Sequence, residues 1–432
     1  MTYMTTIHNN QPHTLLALNV KFKKKDSRLD LVPLNRSVEN VFLEAHNHIR
    51  DIDGLPQEEV IDELGKLMLV KYLDEFSTNE KKPYKLQSQI YDSDRAFASA
   101  IRALYDKLLE PKNSILSGDE IGNYPTKIHL SDLALVKVIS IFEDYTLTKS
   151  GSDVKGRAFQ KVISPASRAG MGQYFTPDPV VQFMVDSVAP KYHETVVDPF
   201  CGSAHFLTTA SKKAAENNDK GITDSVRYIG IEKSKKIARL AKIDSMLSNG
   251  GNKKIICSDS LTNFKDFDFI KQDSFDIVLT NPPFGSQITE DSLKKLEDLE
   301  LLVGKKRMPL EILGLERSIQ LLKPGGRLAI VLPEGILSNR NMGYVRSWLL
   351  KNIQILGIIG LPHETFSPYG ANVKTSILFA RKWRRGEIKS DKYKLLMGRI
   401  TNIGYDASGR PKDGADVQQL AKQVKEHIAK YV

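Results

Sequence analysis

The chain has 432 residues, enough for two domains with buried cores, and its 41% hydrophobic and 26% charged residues are ordinary globular values. No apolar run is long enough to span a bilayer, and the polar N-terminus lacks a signal-peptide core, so we expect a cytoplasmic protein without membrane contact. With only Cys201 and Cys257, a disulfide framework and a Cys-rich zinc site are excluded, and we predict no metal site. The formal charge of +10 favours a polyanionic partner without identifying one.

The first third of the chain has the periodicity of α-helices. Residues 1–35 show no sustained pattern and are predicted to form a flexible N-terminal arm. Ser131 is expected to cap a helix that runs to Phe142, and no convincing strand occurs before about residue 195. Residues 36–160 are therefore predicted to form an all-helical domain. The apolar stripes of its first two helices are Val38, Val41, Phe42, Ala45 and Ile49, then Val60, Leu64, Leu67, Met68 and Tyr72.

Beyond Thr195, short apolar runs alternate with helical patterns, which predicts a parallel, doubly wound α/β sheet. We assign residues 161–388 to this second domain. Its last two strands lie close together and are predicted to form an antiparallel hairpin at the sheet edge. The predicted strands are Val196–Val197, Tyr228–Ile231, Lys254–Cys257, Asp276–Thr280, Leu328–Leu332, Gln354–Leu361 and Ser376–Ala380.

Residues 389–432 are predicted to be a C-terminal tail that ends in an amphipathic helix. An apolar stripe at the end of a chain needs a surface to pack on. The sequence favours equally docking on the chain's own domain and docking on a partner subunit. The stripe consists of Val417, Leu420, Ala421, Val424 and Ile428.

The tetrapeptide Asn281-Pro282-Pro283-Phe284 follows the buried run 275–280. Loops at the carboxyl ends of such strands carry the ligand chemistry of open α/β sheets. The prolines restrict the backbone, so the Asn281 amide and the Pro282 carbonyl can act as a fixed pair of acceptors beside the Phe284 ring. This arrangement fits a planar base with an exocyclic amine, such as a flipped-out adenine. A rigid turn after a core strand is the competing interpretation.

Three further strand ends carry polar or small residues suited to a ligand. Asp198 precedes the small residues 202–204 at the start of a helix, where the backbone can approach a ligand closely. A carboxylate such as Glu232, at the end of the second strand, commonly accepts hydrogen bonds from ribose hydroxyls. Asp259 ends the third strand and is suited to an adenine amino group. Each of these residues also has a purely structural interpretation, as a turn or a helix cap.

Upstream, Phe175-Thr176-Pro177 marks a break before a helix, with Thr176 predicted as the N-cap and Pro177 as the first helical residue. Basic residues occur in clusters, most of which are expected to be solvated surface. The clusters are Lys21 with Lys23–Lys25, Lys294–Lys295, Lys305–Arg307, and Arg381–Lys382 with Arg384–Arg385. A nucleic acid that reaches the 281–284 loop would pass the two clusters that follow this loop in the sequence, Lys294–Lys295 and Lys305–Arg307.

The order of these motifs over residues 175–284 resembles that of the amino-methylating DNA methyltransferases. More narrowly, the chain resembles the modification (methylase) subunit of type I restriction–modification systems, an N6-adenine DNA methyltransferase family. The segments that carry the resemblance are Arg168–Pro177, Asp198–Ser203 and Asn281–Phe284. The resemblance implies a Rossmann-like S-adenosylmethionine-dependent methyltransferase domain with S-adenosylmethionine as methyl donor and adenine N6 in double-stranded DNA as acceptor.

The resemblance also implies roles for individual residues. Asn281 and Pro282 would accept hydrogen bonds from the target amine, while Phe284 and Phe366 would pack on the two faces of the flipped base. The implied donor-binding residues are Phe175 and Thr176 at the methionine end, Asp198 and Gly202 near it, Glu232 at the ribose and Asp259 at the adenine. The family usually has glycine where Ala204 and His205 stand, and we expect His205 to be a first-turn helix residue rather than a catalyst.

A self-sufficient enzyme of this class needs a large target-recognition region, and only about 50 residues follow Lys382. The resemblance therefore implies a separate DNA-specificity subunit and leaves open an associated restriction subunit. Two alternatives remain. One is an RNA guanine-N2 methyltransferase, since Asn-Pro-Pro-Phe also suits that amine, although the helical domain argues against it. The other is an inactive, donor-binding scaffold subunit.

Overall fold

A computed structural model describes residues 31–33, 39–78, 84–110, 116, 124–149, 176–216, 227–248, 253–267, 270–289, 296–369, 372–390, 392–414 and 417–432. The predicted arm at residues 1–35 lies outside this set apart from residues 31–33, and so does Phe175. None of the helices among these residues is long and apolar enough to cross a bilayer.

In the part of the N-terminal domain that the structure describes there are four helices, with bounds α1 Glu39–Asp53, α2 Gln57–Ser77, α3 Asp94–Leu108 and α4 Asp132–Phe142. Their apolar faces meet in one core that includes Phe42, Leu64 and Ile139. Ser131 caps α4 as predicted, since its hydroxyl accepts from the Ala134 amide at 3.2 Å. One feature was not predicted: two-residue strands β1 (Val32–Pro33) and β2 (Tyr145–Thr146) pair in parallel.

The second domain is an eight-stranded sheet flanked by helices, as the alternating pattern predicts. Its strands are β3 Val196–Asp198, β4 Tyr228–Glu232, β5 Lys253–Cys257, β6 Phe275–Thr280, β9 Leu322–Pro333, β10 Ile353–Gly360, β11 Thr375–Lys382 and β12 Leu396–Arg399, while β7 Gln287–Thr289 and β8 Arg307–Pro309 form a separate ribbon. The sheet order is β12-β10-β11-β9-β6-β3-β4-β5. Strand β11 is antiparallel to both of its neighbours, and the other pairs are parallel.

Among the described residues, seven helices accompany the sheet: α5 Asp178–Val188, α6 His205–Glu216, α7 Lys235–Leu247, α8 Leu310–Leu321, α9 Glu334–Ser338, α10 Gly343–Asn352 and α11 Val417–Ile428. Alternate residues of β6 enter different cores, with Ile277 and Leu279 packed among α5, α6 and α11 and Val278 packed with α8 and α10. This division follows from the two-residue period of a strand buried on both faces. Short 3-10 turns lie at Ser88–Ile90, Phe264–Asp266, Glu300–Leu302, Arg340–Met342 and His363–Tyr369.

The C-terminal residues are part of the sheet domain rather than a separate tail. Strand β12 pairs in parallel with β10, so the β10–β11 hairpin forms as predicted but does not lie at the edge. Helix α11 packs on α5. Its residues Val417, Ala421, Val424 and Ile428 are buried in the core of their own domain. The apolar stripe is therefore largely covered from within the chain, as in the first of the two predicted alternatives.

The two domains meet at α2 and α7. Ile237, Leu240, Ile243 and Leu247 of α7 belong to the same core as the N-terminal helices. Gly65 permits this approach, because a Cβ there would lie 2.6 Å from the Ile243 side chain. The Arg239 guanidinium also pairs with Asp62 across the interface at 2.6 Å. The helical domain is thus fixed directly against α7, the helix that connects β4 to β5.

Candidate active site

A cavity of about 350 Å³ opens at the carboxyl ends of β3, β4 and β6. The chain runs outward from β3 through β4 to β5 and then returns to β6 on the other side of β3, so the cavity lies at the topological switch point of the sheet. Six of the residues singled out in the sequence line it: Thr176, Asp198, Gly202, Glu232, Asp259 and Asn281. Residues over 100 positions apart are thereby brought together.

Asp198 is the buried carboxylate of the site, with 1% of its surface exposed. Its Oδ1 accepts from the Thr280 hydroxyl at 2.7 Å and from the Phe200 amide at 3.0 Å. Its Oδ2 has no hydrogen-bond partner among the described residues. Burial, with a smaller contribution from the nearby Glu232 charge, raises the pKa of Asp198 to about 7. An unpaired buried oxygen at a cavity wall is suited to a cationic or hydrogen-donating ligand group.

Glu232 holds the loop after Asp198 in place. One oxygen accepts from the Gly202 amide at 3.2 Å and the other from the Ser234 amide at 2.7 Å. Burial raises the pKa of this carboxyl. Gly202 has a φ of +51° and Ala204 a φ of +65°, so the loop needs left-handed backbone twice before α6 begins. The alanine that stands in place of the usual glycine therefore adopts a conformation that costs about 1 kcal/mol or more for a residue with a Cβ.

His205 is the first residue of α6, as predicted, and its side chain pairs with Asp178 in the first turn of α5 at 2.9 Å. Although burial opposes protonation, the hydrogen bond and charge of Asp178 raise the pKa of His205. The pair joins the two helices that begin at the cavity. Asp259 lines the same cavity at the end of β5 and is half-exposed. It accepts a hydrogen bond from the Leu261 amide at 3.0 Å and forms an ion pair with Lys233 at 2.8 Å.

The loop after β6 presents Asn281 to the cavity. Its Nδ2 donates to Thr176 Oγ1 at 3.1 Å, whereas its Oδ1 is buried without a hydrogen-bond partner in the described part of the chain. The prediction that Thr176 caps the helix is wrong, because α5 begins at Asp178 and Pro177 occupies the cap position without a side-chain hydrogen bond. Thr176 instead accepts a hydrogen bond from Asn281, which fixes the position of the amide, while the amide oxygen has no partner among the described residues.

Pro282 is buried, and its ring lies against α8 at Gly314. A Cβ at Gly314 would lie 3.0 Å from Pro282 Cβ and 2.9 Å from the Phe200 ring. Helix α8 therefore approaches both the loop after β3 and the loop after β6 through one glycine. A larger residue there would displace the two loops that form the cavity.

Phe284 and Phe366 lie together, but not as two faces of a slot. Their ring centroids are 6.0 Å apart and their planes are perpendicular. Phe366 is only 3% exposed and belongs to the core of the sheet domain, whereas Phe284 is partly exposed. Edge-to-face packing is favourable for an aromatic pair, but it leaves no gap for a base between the rings. In this conformation the buried Phe366 ring packs against Phe284, which stays partly exposed.

Three positioning residues were missed in the sequence. Thr280 has the pattern of an ordinary strand residue, yet its hydroxyl joins β6 to Asp198. Gly314 lies within a helical pattern, where an isolated glycine signals close packing but does not identify the partner. Glu311 is buried and accepts from the Gly285 amide, which fixes the end of the Asn281–Phe284 loop. Only Gly314 carried a sequence signal that pointed to its role.

The fold is that of a Rossmann-like S-adenosylmethionine-dependent methyltransferase. A class I S-adenosylmethionine-dependent methyltransferase from Listeria monocytogenes is similar with a TM-score of 0.56 and 17% identity, over 85% of this chain and 98% of that chain. The type I restriction–modification methyltransferase subunit from Streptococcus thermophilus gives a TM-score of 0.66 at 18% identity, over 91% of this chain and 93% of that one. The helical domain is thus part of the similarity.

The chain belongs to the N-6 DNA Methylase family, whose model matches residues 151–422. It is 30% identical over 234 residues to the methylase subunit of the type I restriction enzyme EcoEI of Escherichia coli, covering 52% of this chain and 46% of the relative. It is 28% identical over 269 residues to the MjaIX methylase subunit of Methanocaldococcus jannaschii, covering 60% and 46%. The chain thus spans about half the length of these curated relatives. The family suggested by the motifs is confirmed.

Proposed function

We propose that this chain transfers a methyl group from S-adenosylmethionine to the N6 amine of adenine in double-stranded DNA. The observation that carries the proposal is the Asn281 amide, whose nitrogen is held by Thr176 while its buried oxygen has no partner among the described residues. A neutral acceptor fixed at the end of a central strand suits an amine nucleophile. Family membership supports the same reaction.

The residues of the cavity fit S-adenosylmethionine. A volume of about 350 Å³ is within the range of pockets for ligands of that size. The unpaired Asp198 Oδ2 would accept from the ammonium group, and Gly202 leaves room at the methionine end. Glu232 retains lone pairs for the ribose hydroxyls, and Asp259 is accessible to the adenine amine. When bound, this donor supplies an electrophilic methyl group on a sulfonium.

The chain's own residues act on the target amine. The lone pair of an exocyclic amine is delocalised into the ring, which makes the nitrogen a poor nucleophile. Asn281 Oδ1 and the Pro282 carbonyl would accept its two hydrogens and draw the nitrogen toward tetrahedral geometry. Because both acceptors are neutral and preorganised, the amine is activated without the cost of burying a charge. Phe284 would hold the base by stacking.

We further propose that the chain is the modification subunit of a restriction–modification complex. A separate specificity subunit would read the DNA sequence, and a restriction subunit would be a further partner. The similarity to type I methylase subunits supports this assignment. A cytoplasmic location follows from a DNA substrate. The predicted role for Phe366 as the second stacking face remains a proposal that requires the ring to leave its present position.

The test is methyl transfer with a labelled donor. The chain, alone and with its specificity subunit, is incubated with tritiated S-adenosylmethionine and unmethylated duplex DNA, and the DNA is digested to nucleosides. We expect the label in N6-methyladenine and a loss of at least about 100-fold in Asn281→Ala, as for other preorganised polar groups. Gln419→Ala, on the exposed face of α11, is the matched amide control and should retain wild-type activity.

The same experiment separates the alternatives. RNA is supplied in a parallel reaction, and label in N2-methylguanine would instead indicate the RNA enzyme. Donor binding without transfer to any substrate, even with the specificity subunit present, would indicate a scaffold. Transfer to adenine that is unchanged in Asn281→Ala would contradict the assigned site while leaving the reaction in place.

A further inference from the structure

The β7–β8 ribbon carries three consecutive cations next to the proposed active site. Lys305, Lys306 and Arg307 are all exposed, and the last of them begins β8. The next residue, Met308, is 1% exposed and belongs to the core beneath the ribbon. The cations are therefore presented from a ribbon that is anchored to the domain, so little order has to be gained when they bind a partner.

These cations have no ion-pair partner among the described residues. The carboxylates in the preceding segment have other partners: Glu297 pairs with Lys265 at 2.6 Å, Asp298 accepts from the Phe264 amide, and Glu300 accepts from the Trp348 indole at 2.7 Å. Lys305 instead lies over the Tyr344 ring, with Nζ 4.3 Å from its centroid. A cation–π contact positions an ammonium group without neutralising it.

The basic cluster at 381–385 provides a comparison within the same chain. Arg381 pairs with Glu387, and Lys382 and Arg385 both pair with Asp273. Three of the four cations in that cluster are therefore paired with carboxylates. Residues 305–307 differ because none of them is paired with a carboxylate among the described residues.

The ribbon leads directly from the cavity. The Leu310 amide donates to the Ser286 carbonyl at 2.9 Å, and both residues line the cavity. In the ribbon, Arg307 pairs with Thr289. Arg307 precedes Leu310 by three residues and lies farther from the cavity along β8. At about 3.4 Å per residue, the cations therefore lie on the order of 10 Å from the cavity rim. That distance corresponds to about three nucleotide steps along a duplex, counted from the cavity rim.

We propose that Lys305, Lys306 and Arg307 bind backbone phosphates of duplex DNA beside the flipped adenine. The inference rests on the proposed function, since it takes the DNA substrate as given and assigns the surface that holds it. Phosphate contacts fix register and orientation without reading sequence, which suits a subunit that leaves sequence recognition to a partner. Each phosphate contact by a lysine or arginine releases condensed counterions, so the contribution of the ribbon depends on salt.

The test compares two triple variants of the chain. One carries Lys305→Gln, Lys306→Gln and Arg307→Gln, and the control carries Lys422→Gln, Lys425→Gln and Lys430→Gln on the exposed surface of the C-terminal helix and the residues that follow it. Both lose three positive charges. Binding to a fluorescein-labelled 30-base-pair duplex is measured by anisotropy between 50 and 200 mM KCl, together with donor binding and methyl transfer.

In the ribbon variant we expect the slope of log affinity against log salt to become shallower by about 2 to 3, at roughly 0.9 per phosphate. Its loss of affinity relative to wild type should then be about 40-fold larger at 50 mM than at 200 mM KCl. The control should keep the wild-type slope, and donor binding should be unchanged in both variants.

Equal slopes for the ribbon variant and the wild type would overturn the inference while leaving the proposed function intact, provided the wild type still methylates DNA. If the ribbon variant keeps the wild-type slope but no longer co-purifies with the specificity subunit, the inference is likewise overturned, and the ribbon is assigned to binding that subunit. Equal changes in both triple variants would reduce the effect to overall charge and overturn it as well. A wild-type chain that, with its specificity subunit, neither binds nor methylates duplex DNA would contradict the proposed function itself.

Discussion

The side-chain amide of Asn281 and the hydroxyl of Thr176 are joined by a 3.1 Å hydrogen bond in which Asn281 Nδ2 is the donor. The bond connects the loop after β6 to the residue two positions before α5. The bond holds the side-chain amide in a fixed position, with its nitrogen toward Thr176 and its oxygen without a partner among the described residues. Thr176 therefore positions Asn281, and it need not contact the methyl donor to do so.

The first prediction concerns this contact. Thr176→Val preserves shape but removes the acceptor, so Asn281 will present oxygen and nitrogen to the cavity in turn. We expect kcat to fall about 2- to 13-fold, corresponding to the 0.5–1.5 kcal/mol of one hydrogen bond, with a smaller change in the KM for S-adenosylmethionine. Thr176→Ser keeps the hydroxyl and should restore kcat. The measurement is steady-state methyl transfer with both variants. A fall in donor affinity alone, with kcat unchanged, would show instead that Thr176 acts only on the donor.

The second prediction follows from the buried carboxylate. The folded chain holds a proton on Asp198 up to about pH 7, whereas the unfolded chain releases it near 3.8. The stability of the donor-free wild type therefore falls as the pH rises from about 4 to 7, and it levels off above that range. Asp198→Asn removes this dependence. It should be the more stable protein above pH 7, by up to about 4 kcal/mol for a shift of three units.

Urea denaturation at pH 5 and pH 8 measures this difference in stability. Calorimetric titration measures the affinity of both proteins for S-adenosylmethionine at each pH. Since an ammonium group favours the ionised carboxylate, wild-type affinity should rise with pH up to about 7, and Asp198→Asn should bind weakly at every pH. The carboxyl of Glu232 also has a raised pKa and contributes a slope of the same sign, so only the difference between the two proteins is informative. Parallel stability curves for the two proteins would refute the assignment.

The third prediction concerns Gly314. A methyl group there would lie within 3.0 Å of Phe200 and Pro282, so one or both loops must shift. Overpacking costs about 1–3 kcal/mol, but alanine is favoured over glycine in a helix by about 1 kcal/mol. We expect Gly314→Ala to change thermal stability little and to reduce kcat/KM by more than 10-fold. Gly343→Ala is the control, because its nearest neighbour would be 3.9 Å away. Equal activity in the two variants would show that the loops tolerate the shift.

The sheet was predictable where its strands contain short apolar runs bounded by polar residues. Alternation with helical patterns then determined parallel pairing. Strand β12 was missed for the converse reason: Leu396–Arg399 has one half-buried and one exposed face, and its glycine and arginine lack the composition of a buried strand. Its place is fixed by pairing with β10, a tertiary contact that no local pattern contains.

The candidate site was predictable where residues stand at strand ends. The carboxyl ends of parallel strands meet at one edge of the sheet, and for this reason Asp198, Glu232, Asp259 and Asn281 share a cavity. Side-chain pairing was not predictable. Thr176 had an adequate local explanation as a helix cap, and only the fold shows that Asn281 is its partner. The orientation of Phe366 likewise depends on core packing.

The last prediction separates the two aromatic residues. Phe284 is partly exposed, so Phe284→Ala should leave most of the stability intact. It should remove the stacking free energy of one base, about 1–3 kcal/mol, which lowers kcat/KM for DNA roughly 5- to 150-fold. Phe284→Tyr keeps the ring and should retain activity. Phe366 is 3% exposed in a packed core, so Phe366→Ala should cost about 3–5 kcal/mol of stability.

Chemical denaturation and initial rates on duplex DNA distinguish the two outcomes. Phe366→Leu fills most of the core volume and loses only the aromatic face. If Phe366 acts by supporting Phe284, this variant should be nearly as stable and as active as wild type. If instead the ring moves out to cover the second face of the base, Phe366→Leu should lose activity as Phe284→Ala does while its stability is preserved. The edge-to-face packing of Phe284 and Phe366 favours the supporting role.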